Sequence, residues 1–468
     1  MNVIPFARHR ATASAATAAW AASSVPAHLS ARGLKVPLLA ALCLPLALGM
    51  AALVPWASYI LAPAFALAAA LRLAALGNLF LRPPTEPPPL PDAHLPTLTV
   101  LLPLYREAAV LPDLVAAMGA LDYPRHLMQV IVLLEEGDTE TRGAAGVHVP
   151  RGQGWQVIVV PKGKPQTKPR AVNVGLAAAR GEVVVIYDGE DRPEPDQARR
   201  AVAALMADQR LAVVQCALAC DHAGAGAPFV TRMWNAEYLT LFGAVLPALS
   251  RLGLPFLLGG TSQFLRTRAL LDVGAYDASN VTEDADAGVR LARAGWRSRT
   301  IASVTWEEAP TTLRTWLWQR RRWIAGHVVT AIVHLRNPVQ TWRDLGPAGS
   351  LAVLAQLPAA TMCVAAHPVG LTLAVRGDLS GPLGALLLLG YAASVALTWA
   401  TTRSALTVFL LPAYSALHVA ALAMALADLV RCPSAWNKTA HGVAARPAVS
   451  LPAQTCPQSA ASPSSGVS

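Results

Sequence analysis

The chain has 468 residues, of which 54% are hydrophobic and only 14% are acidic or basic. Soluble domains carry nearer a quarter charged residues, so this balance excludes an ordinary soluble chain and indicates a membrane protein with room for more than one domain. The formal charge is +10, but the basic residues gather beside apolar stretches, which fits membrane orientation and anionic lipid and argues against nucleic acid as a partner.

Residues 1–35 contain Arg8, Arg10, Arg32 and Lys35 and no acid, so this basic, flexible segment is expected on the cytoplasmic side. A cleaved signal peptide is the competing reading. The long Ala/Ser-rich lead and the doubled apolar stretch that follows count against it. Residues 36–82 are expected to form two transmembrane helices. From Val36 to Phe80 the only charged residue is Arg72, and a pass takes about 20 residues. Residues 83–96, beginning Pro83-Pro84-Thr85-Glu86-Pro87-Pro88-Pro89, form a stiff linker.

A domain at 97–310 then alternates apolar strands with helical stretches. Strands are predicted at Leu98–Pro103, Gln129–Leu134, Trp155–Val160 and Glu182–Tyr187, with helices at Ala108–Leu121 and Asn173–Ala179. Continuously apolar strands alternating with helices predict an α/β domain with a mostly parallel sheet covered on both faces. Ligands of such sheets bind at the carboxyl ends of the strands. Acids sit at those ends: Glu107 after the first, Glu135-Glu136 after the second, Asp188 and Glu190 after the fourth. Asp188 and Glu190 can turn onto one divalent cation, and a hard cation with oxygen ligands suits a diphosphate. A solvated turn after a core strand is the plainer alternative.

Three clusters extend the pattern. Lys162, Lys164, Lys168 and Arg170 lie in a Pro/Gly loop ahead of a helix, either as a solvated basic loop or as cations for a diphosphate. Thr282-Glu283-Asp284 precedes a predicted helix at Ala287–Ala294. Its acids either favour the helix dipole only or supply a general base. Trp316-Leu317-Trp318-Gln319-Arg320-Arg321-Arg322-Trp323 belongs to an amphipathic segment at 311–344 expected to lie along the membrane surface, with Arg320 or Arg321 nearer the headgroups.

Residues 345–430 are apolar, broken at Arg376-Gly377-Asp378 and Thr401-Thr402-Arg403, and predict about three transmembrane or re-entrant helices. Three full passes place the tail outside, whereas Arg431, Lys438 and Arg446 without acids read as cytoplasmic, and both counts stay open. The tail covers 431–468, and 447–468, rich in Ser, Pro and Ala, is expected to be disordered. Six cysteines show no CxxC pair or zinc spacing and are read as reduced thiols.

Pro103-Leu104-Tyr105-Arg106-Glu107, Glu135-Glu136, Asp188-Gly189-Glu190, Thr282-Glu283-Asp284 and Gln319-x-x-Arg322-Trp323 occur in an order that resembles membrane-bound family 2 glycosyltransferases, which include cellulose and hyaluronan synthases. The resemblance covers about 97–330. Trp436-Asn437-Lys438-Thr439-Ala440-His441-Gly442 is similar to a C-terminal element of some bacterial members. It implies a GT-A-like nucleotide-diphospho-sugar transferase domain flanked by transmembrane helices, at the bacterial inner membrane, multi-pass, with the catalytic domain cytoplasmic. It implies an inverting, metal-dependent hexosyltransferase. The donor is a nucleotide sugar, expected to be UDP-linked, and the acceptor is a polysaccharide or a lipid-linked glycan.

Residue by residue, the resemblance places Tyr105 and Glu107 at the nucleoside, and Glu136, with Glu135 as the alternative, where an aspartate usually contacts it. Asp188 and Glu190 correspond to the pair that holds Mg2+ or Mn2+. Asp284 corresponds to the base, with Glu283 beside it. Gln319, Arg322 and Trp323 correspond to the motif that closes over diphosphate and acceptor, and Lys168 to a nucleotide contact. Glutamates replace aspartates at 190 and 136. Ile324-Ala325-Gly326 follows the motif tryptophan where some relatives carry Lys-Gly, which puts chain-extruding behaviour in doubt. A non-catalytic membrane scaffold that keeps the fold is the alternative function, and the retained acids and Gln-x-x-Arg-Trp motif count against it.

Overall fold

The computed structural model describes residues 24–34, 58–377 apart from Ala225, 381–431, and Arg446. The first expected pass, within 36–57, lies outside the described residues, as do Trp436–Gly442 and the 447–468 tail. Helix α1 spans Ser58–Leu79. Beyond the linker come β1 (Leu98–Leu104), α2 (Leu111–Gly119), β2 (Met128–Glu135), α3 (Thr139–His148), β3 (Trp155–Val160), α4 (Lys168–Leu176) and β4 (Val183–Ile186). Helix α4 begins at Lys168, ahead of the expected Asn173. Pro169 stands in its first turn, where a missing N–H costs nothing. Lys168 therefore sits at a helix N-terminus facing the strand ends.

The chain continues through β5 (Arg192–Pro193), α5 (Gln197–Ala207), β6 (Leu211–Cys220), α6 (Phe229–Thr240), β7 (Gln263–Arg266), α7 (Glu283–Arg293) and β8 (Arg297–Glu307). The eight strands form one sheet in the order β3-β2-β1-β4-β7-β6-β8-β5. β1 pairs in parallel with β2 and β4, β2 with β3, and β6 with β8. The short β7 runs antiparallel between β4 and β6. The sheet is thus mostly parallel, as expected.

Alternate strand residues point to opposite faces. Leu101, Ile131, Leu133, Val184 and Ile186 pack on one side with α4 and α6. Val100, Leu102, Val130, Val132 and Val185 pack on the other with α2 and α5. Both faces are dry, which explains why these strands read as unbroken apolar runs. The register sets Leu101 beside Ile186 and Leu104 beside Leu134, so the ends of β1, β2 and β4 open onto one crevice.

Five helices follow: α8 (Leu313–Leu335), α9 (Pro338–Leu354), α10 (Ala360–Arg376), α11 (Pro382–Thr402) and α12 (Ala405–Arg431). Among the described residues, four stretches are long and apolar enough to cross a membrane: Leu61–Leu79, Pro338–Pro368, Pro382–Thr402 and Ala405–Arg431. Gly346, with φ 67°, breaks α9 just before its apolar part.

Helix α8 differs from a one-sided surface helix. Trp316 is fully buried, and its indole N–H donates to Tyr414 Oη of α12 at 3.1 Å. Arg320 pairs with Glu237 of α6 at 2.8 Å and Arg321 with Asp428 of α12 at 3.3 Å. Both arginines are thus tied to neighbouring helices. A half-buried guanidinium is held by a carboxylate across the helix interface more readily than left unpaired.

Candidate active site

A cavity of about 1040 Å3 opens at the carboxyl ends of the strands and runs down between the helices. Tyr105, Glu107, Lys168, Asp188, Glu190, Glu283, Asp284, Gln319, Arg322 and Trp323, all predicted from sequence, line it. Glu136 does not. It accepts the Lys162 backbone N–H at 3.0 Å at the surface, and Glu135 lines the cavity instead. Burial pushes the Glu135 carboxyl up to about 7, with Arg170 opposing.

The end of β1 is held by Asp138. Its carboxylate accepts the Arg106 N–H at 2.5 Å and the Thr141 N–H of α3 at 3.1 Å. Thr141 Oγ1 in turn accepts the Glu107 N–H at 3.0 Å. Arg106 has φ 56°, so the chain turns sharply and brings Tyr105 and Glu107 to the crevice. Gly189 lies against Glu107. A Cβ at 189 would stand 2.8 Å from Glu107 Cδ, so a side chain there would push the Glu107 carboxylate out of its place.

After β4, Asp188 pairs with Lys168 Nζ at 2.5 Å, and Lys168 also donates to Gly260 O at 3.0 Å. Burial works to lower the Lys168 pKa, but the charges of Asp188 and Glu283 outweigh it and hold the ammonium. Asp191, not singled out by sequence, folds back. It accepts the Asp188 N–H at 2.7 Å and the Thr261 hydroxyl. Glu307, at the end of β8, completes an acidic group with Asp188, Glu190 and Asp191. Burial, then this mutual repulsion, raises both Asp191 and Glu307 well above the usual carboxylate range.

Among the described residues no three or more His, Cys, Asp or Glu side chains form a ready-made cage. A divalent cation bound through phosphates needs only one or two carboxylates. The crowded acids, with Asp191 Oδ1 buried and lacking a hydrogen-bond partner, fit such an ion.

The start of α7 reaches the same cavity. Glu283 and Asp284 line the cavity, and Asp284 Oδ2 faces Gly260. Burial raises both carboxyls, and Lys168 and Arg322 partly offset it. Thr282 makes no side-chain cap. It is packed under Gly326, where a Cβ would meet its side chain at 2.4 Å.

On α8, Gln319, Arg322 and Trp323 share one helical face at i, i+3 and i+4. Gln319 Oε1 accepts the Trp234 indole N–H at 3.1 Å. Arg322 Nε is buried without a partner, and the charges around it are Glu283, Asp188 and Asp284. Trp323 stacks on Tyr238 at 6.2 Å, with Arg320 over its ring at 4.3 Å. Lys168 and Arg322 thus share one cleft with both groups of acids.

Residues 183–430 match the family model described as glycosyl transferase family group 2, more than half of the chain. The chain belongs to glycosyl transferase family group 2. This family assignment takes in Asp188, Asp284 and the Gln319–Trp323 face, while β1 to β3 precede the matched region. The chain is 25% identical over 236 residues to a probable glycosyltransferase, YdaM, of Bacillus subtilis, covering 50% of this chain and 56% of that one. It is 29% identical over 285 residues to the β-monoglucosyldiacylglycerol synthase of Synechocystis, covering 58% and 56%. It is 25% identical over 262 residues to cellulose synthase 2 of Novacetimonas hansenii, covering 54% and 16%. The chain spans about half the length of the first of these relatives. Among solved structures, mannosyltransferase PcManGT from Pyrobaculum calidifontis, in complex with GDP-Man and Mn2+, aligns with a TM-score of 0.53 at 22% identity, over 79% of this chain and 98% of that one. That likeness shows the GT-A-like fold.

Proposed function

We propose that the protein is an inverting glycosyltransferase of the bacterial inner membrane that moves a sugar from a nucleoside-diphosphate donor, UDP-linked, to an acceptor hydroxyl. The observation that carries this reading is the single cleft that Asp188, Glu190, Asp284 and Arg322 line together. The four apolar helices support a multi-pass chain with its α/β domain in the cytoplasm, where nucleotide sugars are made.

In this reading Tyr105, Glu107 and Glu135 receive the nucleoside at the ends of β1 and β2. Asp188 and Glu190 hold Mg2+ or Mn2+, which when bound neutralises charge on the departing diphosphate. Lys168 and Arg322 bring fixed positive charge to the same phosphates, in a dry site where it acts strongly. A sugar hydroxyl is a weak nucleophile and needs a positioned carboxylate. Asp284 takes its proton as the hydroxyl oxygen bonds to the anomeric carbon and the bond to the diphosphate breaks. Base and leaving group on opposite sides of the sugar give inversion. Trp323, with an apolar face and a polar edge, suits a sugar ring. The solved relative bound to GDP-Man and Mn2+, and relatives named as a cellulose synthase and a glycolipid synthase, support the donor class and a glycan or lipid acceptor.

The test is a radiolabelled panel of UDP-glucose, UDP-N-acetylglucosamine and GDP-mannose on the purified chain with Mn2+. Metal-dependent transfer from one donor, lost in D188A, is expected. No consumption of any donor overturns the reading.

A further inference from the structure

The cavity does not end at Asp284. It continues between α1, α10, α11 and α12, where Phe65, Ala69, Leu387, Leu388 and Gly390 form its wall. Gly370 and Gly390 stand in this part with neighbouring side chains at ordinary contact distance. A Cβ at Gly390 would lie 3.9 Å from Ala69 Cβ, and one at Gly370 3.6 Å from Leu387. At about 1040 Å3 the whole cavity stands at the upper end of ordinary ligand pockets, roughly 300–1,000 Å3.

The polar side chains of this lower part are turned back on the protein. Ser394 Oγ donates to Gly390 O at 2.8 Å and Thr361 Oγ1 to Leu357 O at 3.0 Å. Tyr414 Oη donates to Glu237 at 2.7 Å. Most of the surface that faces the space is carbon. A glycan chain threaded here would bury hydroxyls against carbon, at about 1–3 kcal/mol for each one left unbonded. An acyl chain loses nothing by the same contact and gains about 0.8 kcal/mol per buried CH2.

The exceptions are donors. Arg72 of α1 carries its guanidinium into the wall and spends one N–H on Ala68 O at 2.9 Å. His367 of α10 lines the same part of the cavity. Ester carbonyls accept from such groups. At the other end the acceptor meets Glu283 and Asp284. Carboxylates repel a phosphate head, and a phosphate nucleophile is already ionised and needs no base. A neutral head with a hydroxyl suits both ends.

Resting on the transferase reading above, we infer that the acceptor is a membrane lipid of the diacylglycerol class, with its chains in the crevice between α1, α10 and α11 and its free hydroxyl at Asp284. The hydroxyl oxygen bonds to the anomeric carbon, its proton goes to the Asp284 carboxylate, and the bond to the donor phosphate breaks with its electron pair on the nucleoside diphosphate. The product is a glycolipid that stays in the bilayer.

The full chain, reconstituted in phosphatidylcholine vesicles with Mn2+ and the labelled donor panel, is offered 1,2-dioleoylglycerol, a soluble cello-oligosaccharide, or neither. Label is expected in the organic phase, dependent on dioleoylglycerol and at least tenfold above the oligosaccharide. G390L should cut that transfer tenfold or more while the dissociation constant for the donor nucleotide stays put. If that variant misfolds, the wild-type comparison still decides. Donor consumption with label only in water-soluble sugar overturns the lipid acceptor and leaves the transferase reading standing. No metal-dependent consumption with any donor or acceptor overturns both.

Discussion

Lys168 Nζ lies 2.5 Å from Asp188 Oδ1, so the cation at the start of α4 and the first acid after β4 form one charged pair. Both groups face the cavity. A bound donor with its cation would draw Asp188 to the metal and leave Lys168 to the phosphates. Removing either side therefore affects binding of the donor before it affects the fold. Lys168→Met should raise the donor KM by roughly 10- to 100-fold, the equivalent of about 1.5–3 kcal/mol for a hydrogen bond to a charged group. Asp188→Ala should abolish transfer with little change in Tm, because Asp188 stands at a strand edge outside the core. Steady-state kinetics and a melting curve on each variant check this. A wild-type rate in D188A at saturating Mn2+ would falsify the metal role.

Asp284 and Glu283 give the pH dependence its sign. Burial raises both carboxyls above the ordinary values of about 3.9 and 4.3. A base with a raised pKa is ready only above that pKa, so transfer should fall as pH drops through it. The acid limb of kcat/KM should stand above the ordinary carboxylate range. Asp284→Asn should keep nucleotide binding and lose turnover by about a hundred- to ten-thousand-fold, the usual share of a general base. A pH–rate profile and a nucleotide titration decide it. If Tm alone falls and kcat holds, Asp284 serves only the helix dipole of α7.

Trp316 and Trp323 separate structure from chemistry on one helix. Trp316 is fully buried against Tyr414 and His418. Trp316→Ala should cost about 3–5 kcal/mol of stability, in the range for a buried aromatic. Trp323 lines the cavity and stacks on Tyr238. Trp323→Ala should act on the acceptor KM and kcat with a smaller loss of stability. Equal effects of the two substitutions on both quantities would remove the distinction.

The strand ends were legible because β1, β2 and β4 are buried on both faces, and an unbroken apolar run followed by acids marks the crevice edge. The choice between Glu135 and Glu136 was not. Neighbouring residues at a strand end point to opposite faces, and only the pairing of Glu135 with Val160 fixes which face each takes. Glu307 was hidden because β8 opens on Arg297-Ser298-Arg299-Thr300, which carries no apolar signal. The ion pair of Arg320 was hidden because its partner, Glu237, comes from a helix far away in sequence. Arg446 gave no periodic signal at all.

Arg446 lies beyond the end of α12, yet it joins three strand ends. Its Nε donates to both Asp221 oxygens, at 3.0 and 2.8 Å, just past β6. One Nη donates to Trp306 O in β8 at 2.9 Å, and the other to Glu190 O in the acidic turn after β4. Asp221 also meets Arg192 at 3.5 Å and His222 at 3.1 Å, so it keeps partners when Arg446 is removed. The fold should then survive Arg446→Ala, whereas the turn that carries Glu190 loses a fixed anchor. The Mn2+ concentration for half-maximal transfer should rise about tenfold, with a smaller change in kcat at saturating metal. Arg446→Lys should recover little, because an ammonium lacks the planar fork that reaches a carboxylate and two carbonyls together. Metal titrations of the two variants beside wild type test this, and an unchanged Mn2+ requirement in R446A removes Arg446 from the positioning of the acidic turn.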